Sequence, residues 1–266
     1  MKGGEKLKRL LVYGFMAFGI LLLVFGISNQ ALAGPLDCGE DCGWAIKVDD
    51  EVKANGTLSI DSEGNVKLEG DSQVEGPGYT AEISKFSGQV DPELVFGVGA
   101  TNSSSSAKTF SFSFSLPIAL PDSPIETYAS LGTTLTASSA GDGTVFPISG
   151  VDKIVDSQDI RYFPSANVDK GVDIGDALTD PAGGLPTLDA VEIFGLIEAG
   201  KGPFDLMTVV VAFGLVDTEQ AAGRPGQVGV GFSGLVSQQA VPVPAAIWLL
   251  GSGLLALIGF RKKFQR

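Results

Sequence analysis

The chain of 266 residues contains no histidine. That absence removes Ser-His-Asp and Cys-His catalysis, histidine-ligated zinc and the commonest general base near neutral pH. Cysteine and tryptophan are scarce too, with two of each, and the tryptophans are Trp44 and Trp248. Positive charge is thin through the middle of the chain, where residues 34–240 hold 30 acidic against 10 basic side chains. Nucleic acid requires clustered Lys and Arg to neutralise phosphates, so this balance excludes it as a partner. The balance fits a self-repelling exterior domain open to divalent cations. Strong helix-forming runs are few, whereas 36 glycines and 14 prolines point to short strands joined by turns.

The two ends differ from the middle. Residues 1–33 carry a basic start (Lys2, Lys6, Lys8, Arg9), an apolar stretch from Leu10 to Ile27, and then Ala31-Leu32-Ala33. Small residues at Ala31 and Ala33 match a signal-peptidase site, with Gly34 as the new N-terminus. This reads as a signal helix handled by the Sec translocon and signal peptidase, and the alternative is an uncleaved anchor.

Residues 241–266 begin Val241-Pro242-Val243-Pro244-Ala245-Ala246-Ile247-Trp248-Leu249-Leu250, continue Gly251-Ser252-Gly253-Leu254-Leu255, and carry no charge before Arg261-Lys262-Lys263. A helix from Ala245 to Phe260 would be about 24 Å long at ~1.5 Å per residue, a little short of the ~30 Å hydrocarbon core. The basic cluster would stay cytoplasmic, leaving residues 34–240 outside.

These tail residues resemble a PEP-CTERM sorting signal in its Val-Pro-x-Pro-Ala-Ala-x-Trp-Leu variant; a generic transmembrane anchor is the alternative. The resemblance implies recognition by a membrane-embedded exosortase at Pro242 and Pro244, with Trp248, Arg261, Lys262 and Lys263 completing the signal. Val243 stands where the commoner form has Glu. The resemblance also implies an exopolysaccharide-producing Gram-negative cell. There the chain would be held transiently in the inner membrane by its C-terminal transmembrane helix, with its domain in the periplasm. It would end at the cell surface or in a biofilm matrix, with exopolysaccharide as a partner. It implies no activity.

In the exported domain, residues 34–240, the clearest pattern is Thr109-Phe110-Ser111-Phe112-Ser113-Phe114-Ser115-Leu116, which alternates with a period of two. Leu94, Phe96, Val98 and Ala100 alternate in the same way, and Asn102-Ser103-Ser104-Ser105-Ser106 separates the two runs. Together they predict a hairpin with a polar loop. A smaller hairpin is expected from Thr57 to Leu68, turning at Asp61-Ser62-Glu63-Gly64-Asn65. Leu206 to Leu215 reads as a central strand, and Val228, Val230 and Phe232 mark a last strand. Thr187 to Ala199 fits a helix, with a strand as the alternative. The sum is an all-β antiparallel sandwich of jelly-roll type. The Asp-Pro, Thr-Asn and Phe-x-Phe-x-Phe order is loosely similar to the exported domains of many PEP-CTERM proteins.

Few residues suggest chemistry. Cys38 and Cys42, in an oxidising compartment, suit a structural disulfide, whereas two thiols without histidine make half a zinc site. Asp169, Asp173, Asp176 and Asp180, with Gly171 and Gly175, read as a solvated acidic loop, and calcium is the one cofactor it could hold. Gly229-x-Gly231-x-x-Gly234 matches a dinucleotide fingerprint by letter but lies in a strand pattern, and no histidine could activate Ser233. A glycosidase would need two carboxylates about 5–10 Å apart, which the sequence does not place. The leading expectation is therefore a non-enzymatic surface or matrix protein with a structural or adhesive role. Its alternative is a binding module for polysaccharide, calcium or ice. Intact mass of the protein recovered from its host should give a species starting at Gly34 and ending near Pro244. Retention of Arg266 regardless of the exosortase would contradict the sorting expectation.

Overall fold

A computed structural model describes residues 42–90, 92–121, 124–138, 141–148, 153–161, 166–182, 185–198, 203–224 and 226–241. The chain divides into two units, Met1–Asp37 and Cys38–Arg266, and the first lies wholly outside the described residues. No helix among the described residues is long and apolar enough to cross a membrane.

The described residues of the second unit are almost entirely antiparallel strand. In chain order the strands are β1 (Gly43–Val48), β2 (Glu51–Ile60), β3 (Asn65–Leu68), β4 (Gln73–Gly76), β5 (Tyr79–Gln89), β6 (Glu93–Asn102), β7 (Lys108–Leu120) and β8 (Ile125–Ala137). There follow β9 (Gly143–Pro147), β10 (Val155–Arg161), β11 (Ala166–Lys170), β12 (Leu178–Asp180), β13 (Thr187–Ile197), β14 (Phe204–Asp217) and β15 (Val228–Ala240). One short helix, α1 (Thr218–Ala221), precedes β15 and is closed by a capping box on Asp217 and Gln220.

The hydrogen-bonded path runs β11-β10-β14-β7-β1-β2-β3-β5-β6-β15-β8-β13. It passes from one layer to the other at β2, whose Glu51–Thr57 stretch pairs with β1 while Leu58–Ile60 pairs with β3. Sheet A thus holds β1, β7, β14, β10 and β11, with β9 sharing the second edge of β14 and β12 outside it. Sheet B holds β3, β5, β6, β15, β8 and β13, with β4 beside β5. The fold is an antiparallel β-sandwich, as the composition predicts.

The alternation in the sequence accounts for the core. Phe110, Phe112, Phe114 and Leu116 of β7 all point inward and are buried. Their register partners Phe213, Val211, Val209 and Met207 on β14 are buried with them. Sheet B answers with Phe96 and Phe232: Phe96 stacks on Phe114 at 6.1 Å, and Phe232 meets Phe213 at 4.9 Å between ring centroids. Gly234 faces inward to make room, since a Cβ there would lie 2.2 Å from the Phe96 ring.

The expected β2–β3 hairpin is present, with Asp61 accepting from the backbone amides of Glu63 and Asn65 at 3.0 Å and Gly64 at φ +83°. The expected hairpin between β6 and β7 is not. Both segments are strands, but β6 pairs with β5 and β15 whereas β7 pairs with β1 and β14, so the serine loop crosses between sheets. Each strand has a largely apolar inward face, and facing each other across the core buries both. Thr187–Ile197 is strand, which settles the choice left open there.

Asn102 pins this crossover. Its buried amide donates to the carbonyls of Leu215 and Ser106, both at 2.9 Å, and to Gln220 Oε1 at 3.2 Å, while its Oδ1 accepts from Ser104. At the same end of β7, Asp49 closes the β1–β2 turn at φ 51° and accepts from Lys108 Nζ at 2.5 Å and the Thr109 amide at 3.1 Å. Partial burial raises the Asp49 pKa, but the bonds to Lys108 and Thr109 outweigh it and hold the carboxyl below its ordinary value. Asn102→Ala should cost about 2–3 kcal/mol, because it removes a buried amide that bonds Leu215, Gln220 and the serine loop at once. Urea unfolding checks this, and a loss below about 0.5 kcal/mol would contradict the pinning role.

Candidate functional site: a glycine-floored trough on sheet B

The face of sheet B turned away from the core holds a cavity of about 720 Å³. It is built from rows of residues in register across the strands. One row is Glu82, Gly99, Gly231, Thr134 and Leu188, from β5 through β6, β15 and β8 to β13. The next is Thr80, Thr101, Gly229 and Thr136, and on the other side lie Gly97, Ser233 and Gly132. Because strand side chains alternate between faces, Ala100, Val230, Phe232 and Leu135 in the neighbouring positions fill the core. The two middle strands are thus large inward and almost bare outward.

This contrast makes the trough. Gly231 has no atom within 4 Å of where a Cβ would stand, so the floor is open above it. The β5 wall rises with Glu82, whose Oε1 would lie 3.5 Å from a Cβ on Gly99, and with Ser84, which a bulge between Ile83 and Lys85 brings onto the wall. The opposite wall carries Thr134, Thr136, Leu188 and Asp189. The lining therefore offers hydroxyls, two carboxylates and the amide of Gln73, with no Lys or Arg. Walls β5 and β8 are three inter-strand spacings apart, about 14 Å between backbones.

Gly229, Gly231 and Ser233, noted in the sequence only to be set aside, line the trough, and the other residues singled out by sequence fall elsewhere. Ala31, Ala33, Gly34, Cys38, Pro242, Pro244, Trp248, Arg261, Lys262 and Lys263 lie outside the described residues. Cys42 is buried and disulfide-bonded. Asp176 pairs with Lys153 at 2.6 Å, whereas Asp180 is buried and accepts from the Ala137 amide and Thr187 Oγ1, each at 2.8 Å. The side chain of Asp169 is outside the description, and Asp173 has bonding partners of its own. Among the described residues no three His, Cys, Asp or Glu side chains are grouped to hold a metal. Trp44 is a core residue, 3% exposed, donating to the Glu69 carbonyl at 2.8 Å. Thr133 is buried, and Thr134 and Thr136 on the other face of β8 line the trough.

Sequence reasoning missed the trough, although its signal was present. Gly97 and Gly99 on one strand and Gly229 and Gly231 on another recur with the period of two that marks one face.

No protein-family model and no curated protein sequence matches the chain. Among solved structures, it is similar to TmCBM61 in complex with β-1,4-galactotriose, at 11% identity and TM-score 0.24, covering 65% of this chain and 100% of that one. It is also similar to a family 11 carbohydrate-binding module from Clostridium thermocellum, in complex with a β-1,3-1,4-mixed-linked tetrasaccharide. That match has 12% identity and TM-score 0.20, covering 74% of this chain and 96% of that one. Likeness of this degree carries no argument about ligand.

The two faces of β15 give a direct test of the geometry. Gly231→Leu should leave the urea midpoint unchanged or raise it, since its Cβ meets nothing and glycine is a poor strand residue. Gly234→Ala should cost about 1–3 kcal/mol by pushing into Phe96. Equal losses in both would contradict an open floor.

Proposed function

We propose that the chain is an exported, non-enzymatic surface or matrix protein whose sandwich binds an extended polysaccharide in the sheet B trough. The observation that carries this reading is a floor bare of side chains between walls of hydroxyl, amide and carboxylate groups. A sugar ring presents a broad face and a rim of hydroxyls, so it needs a flat, unobstructed bed and many donors and acceptors at its edges. Gly99, Gly229 and Gly231 supply the bed, and Glu82, Thr80, Thr134 and Gln73 supply the edges. Convergent polar groups around a concave surface are what a small-molecule or glycan site requires.

A hydrolytic role has less support in the same geometry. Glu82 and Asp189, the two carboxylates of the lining, stand on strands four spacings apart. That is about 19 Å between backbones, against the roughly 5–9.5 Å that glycoside hydrolysis uses. The address rests on the chain ends. A Sec signal before Gly34 and the PEP-CTERM-like tail from Val241 would deliver the domain, through an exosortase, to the exopolysaccharide outside the cell.

Affinity electrophoresis through gels cast with the host's own exopolysaccharide tests the reading. The wild-type protein should be retarded, Gly231→Leu should run as in an empty gel, and Glu82→Gln should bind about tenfold more weakly, the effect of losing one charge-assisted bond of roughly 1.5 kcal/mol. Retardation that survives Gly231→Leu would move the site off this face, and no retardation of any form would reject the reading.

A further inference from the structure

The outer face of sheet B does not end at the trough. Six residues further along β8, Tyr128 stands on the same face as Thr134, and its register partner on β13 is Phe194. The two rings lie 4.9 Å apart between centroids, tilted by 46°. Tyr128 is half-buried, but Phe194 is 75% exposed on an edge strand. Leu188, which closes the trough, and Leu196, 63% exposed, lie on the same face of β13. An aromatic ring so exposed contributes little to the core, and large apolar groups held out in this way mark a contact surface. Between trough and ring pair β8 carries only Gly132 and Ser130 on this face, with Leu235 and Glu192 beside Ser130 on the neighbouring strands.

We propose that the polysaccharide site is longer than the trough. A single uncharged glycan chain would run from the Glu82–Gly231 row to the Tyr128–Phe194 pair, where a pyranose ring stacks on Phe194. This rests on the polysaccharide reading of the trough. Continuity of the face supports it, because both stations are set by the same register and are separated by about 20 Å along β8, with only Gly132 and Ser130 of that strand between them on this face. Charge supports the ligand class. The trough offers Glu82 and Asp189, and Glu126 and Glu192 flank the ring pair in register, so acidic sugars would be repelled along the track. Lys85 stands beside Gly97 in the row between the stations, outside the trough lining, and these four carboxylates outnumber it. A face that combines hydroxyl-rich walls at one end with an apolar ring at the other distinguishes chain length: short oligomers occupy one station, long ones both.

The test is calorimetric titration of the wild-type protein, Phe194→Ala, Phe194→Trp and Gly231→Leu with disaccharide and octasaccharide fragments of the host's exopolysaccharide. In wild type the octasaccharide should bind at least tenfold more tightly than the disaccharide. Phe194→Ala should remove that advantage while leaving disaccharide affinity unchanged, and Phe194→Trp should restore it. Gly231→Leu should weaken both. Octasaccharide affinity within twofold of wild type in Phe194→Ala would overturn the second station. So would a change in sedimentation from dimer to monomer with no effect on glycan binding, which would assign Phe194 to contact between copies of the chain. If neither fragment binds wild type, the polysaccharide reading itself fails.

Discussion

Everything in this sandwich depends on the phenylalanines that meet across its two sheets. Phe96 against Phe114 and Phe213 against Phe232 lock sheet B onto sheet A at ring distances of 6.1 and 4.9 Å. Such pairs contribute more than their buried area and do so only in particular geometries, so they set the separation and registration of the layers. The buried apolar cluster that these rings anchor draws on both sheets, so its burial is a main source of cohesion between the layers. The covalent links follow it: β2 bends from one layer into the other, and the serine loop after β6 crosses the core under the hold of Asn102.

The same packing shapes the outer surface. Large residues inward and glycines outward on β6 and β15 leave sheet B solid beneath and bare above. The two glycines Gly231 and Gly234, three residues apart on one strand, serve opposite ends: one admits a ring of the core and the other opens the floor of the trough. Site and core are therefore two faces of a single alternation. The floor of the trough is the back of the strands that carry Phe96 and Phe232 into the core, and that packing holds it in place.

Much of this was legible in the sequence, and the limits are physical. The period-two run through Phe114 identified a strand and its buried face, because burial on one face forces alternation. It could not identify the partner: alternation reports which side a residue faces, not which strand lies beside it, so β6 and β7 were expected to pair and instead face each other. Thr187–Ile197 was ambiguous for a related reason. It is an edge strand exposed on both faces, and solvent on both sides erases the alternation that would distinguish it from a helix. The trough was invisible because glycine carries no chemistry of its own, and its four outward copies are informative only when two strands are known to be neighbours. The acidic residues near Asp176 and Asp180 drew attention as a group, yet ion pairing to Lys153 and a buried backbone contact take them in different directions.

The account stands on one claim, that glycan lies on the bare face of sheet B. Nuclear magnetic resonance of the ¹⁵N-labelled protein during titration with oligosaccharides from the host's exopolysaccharide addresses it most directly, because the floor is made of glycines whose amide signals fall in a distinct region. The account predicts the largest shifts at Gly99, Gly132, Gly229 and Gly231, with little change at Ser111, Ser113 and Ser115 on the outer face of sheet A. Shifts concentrated on those serines, or a spectrum unchanged at saturating oligosaccharide, would contradict it.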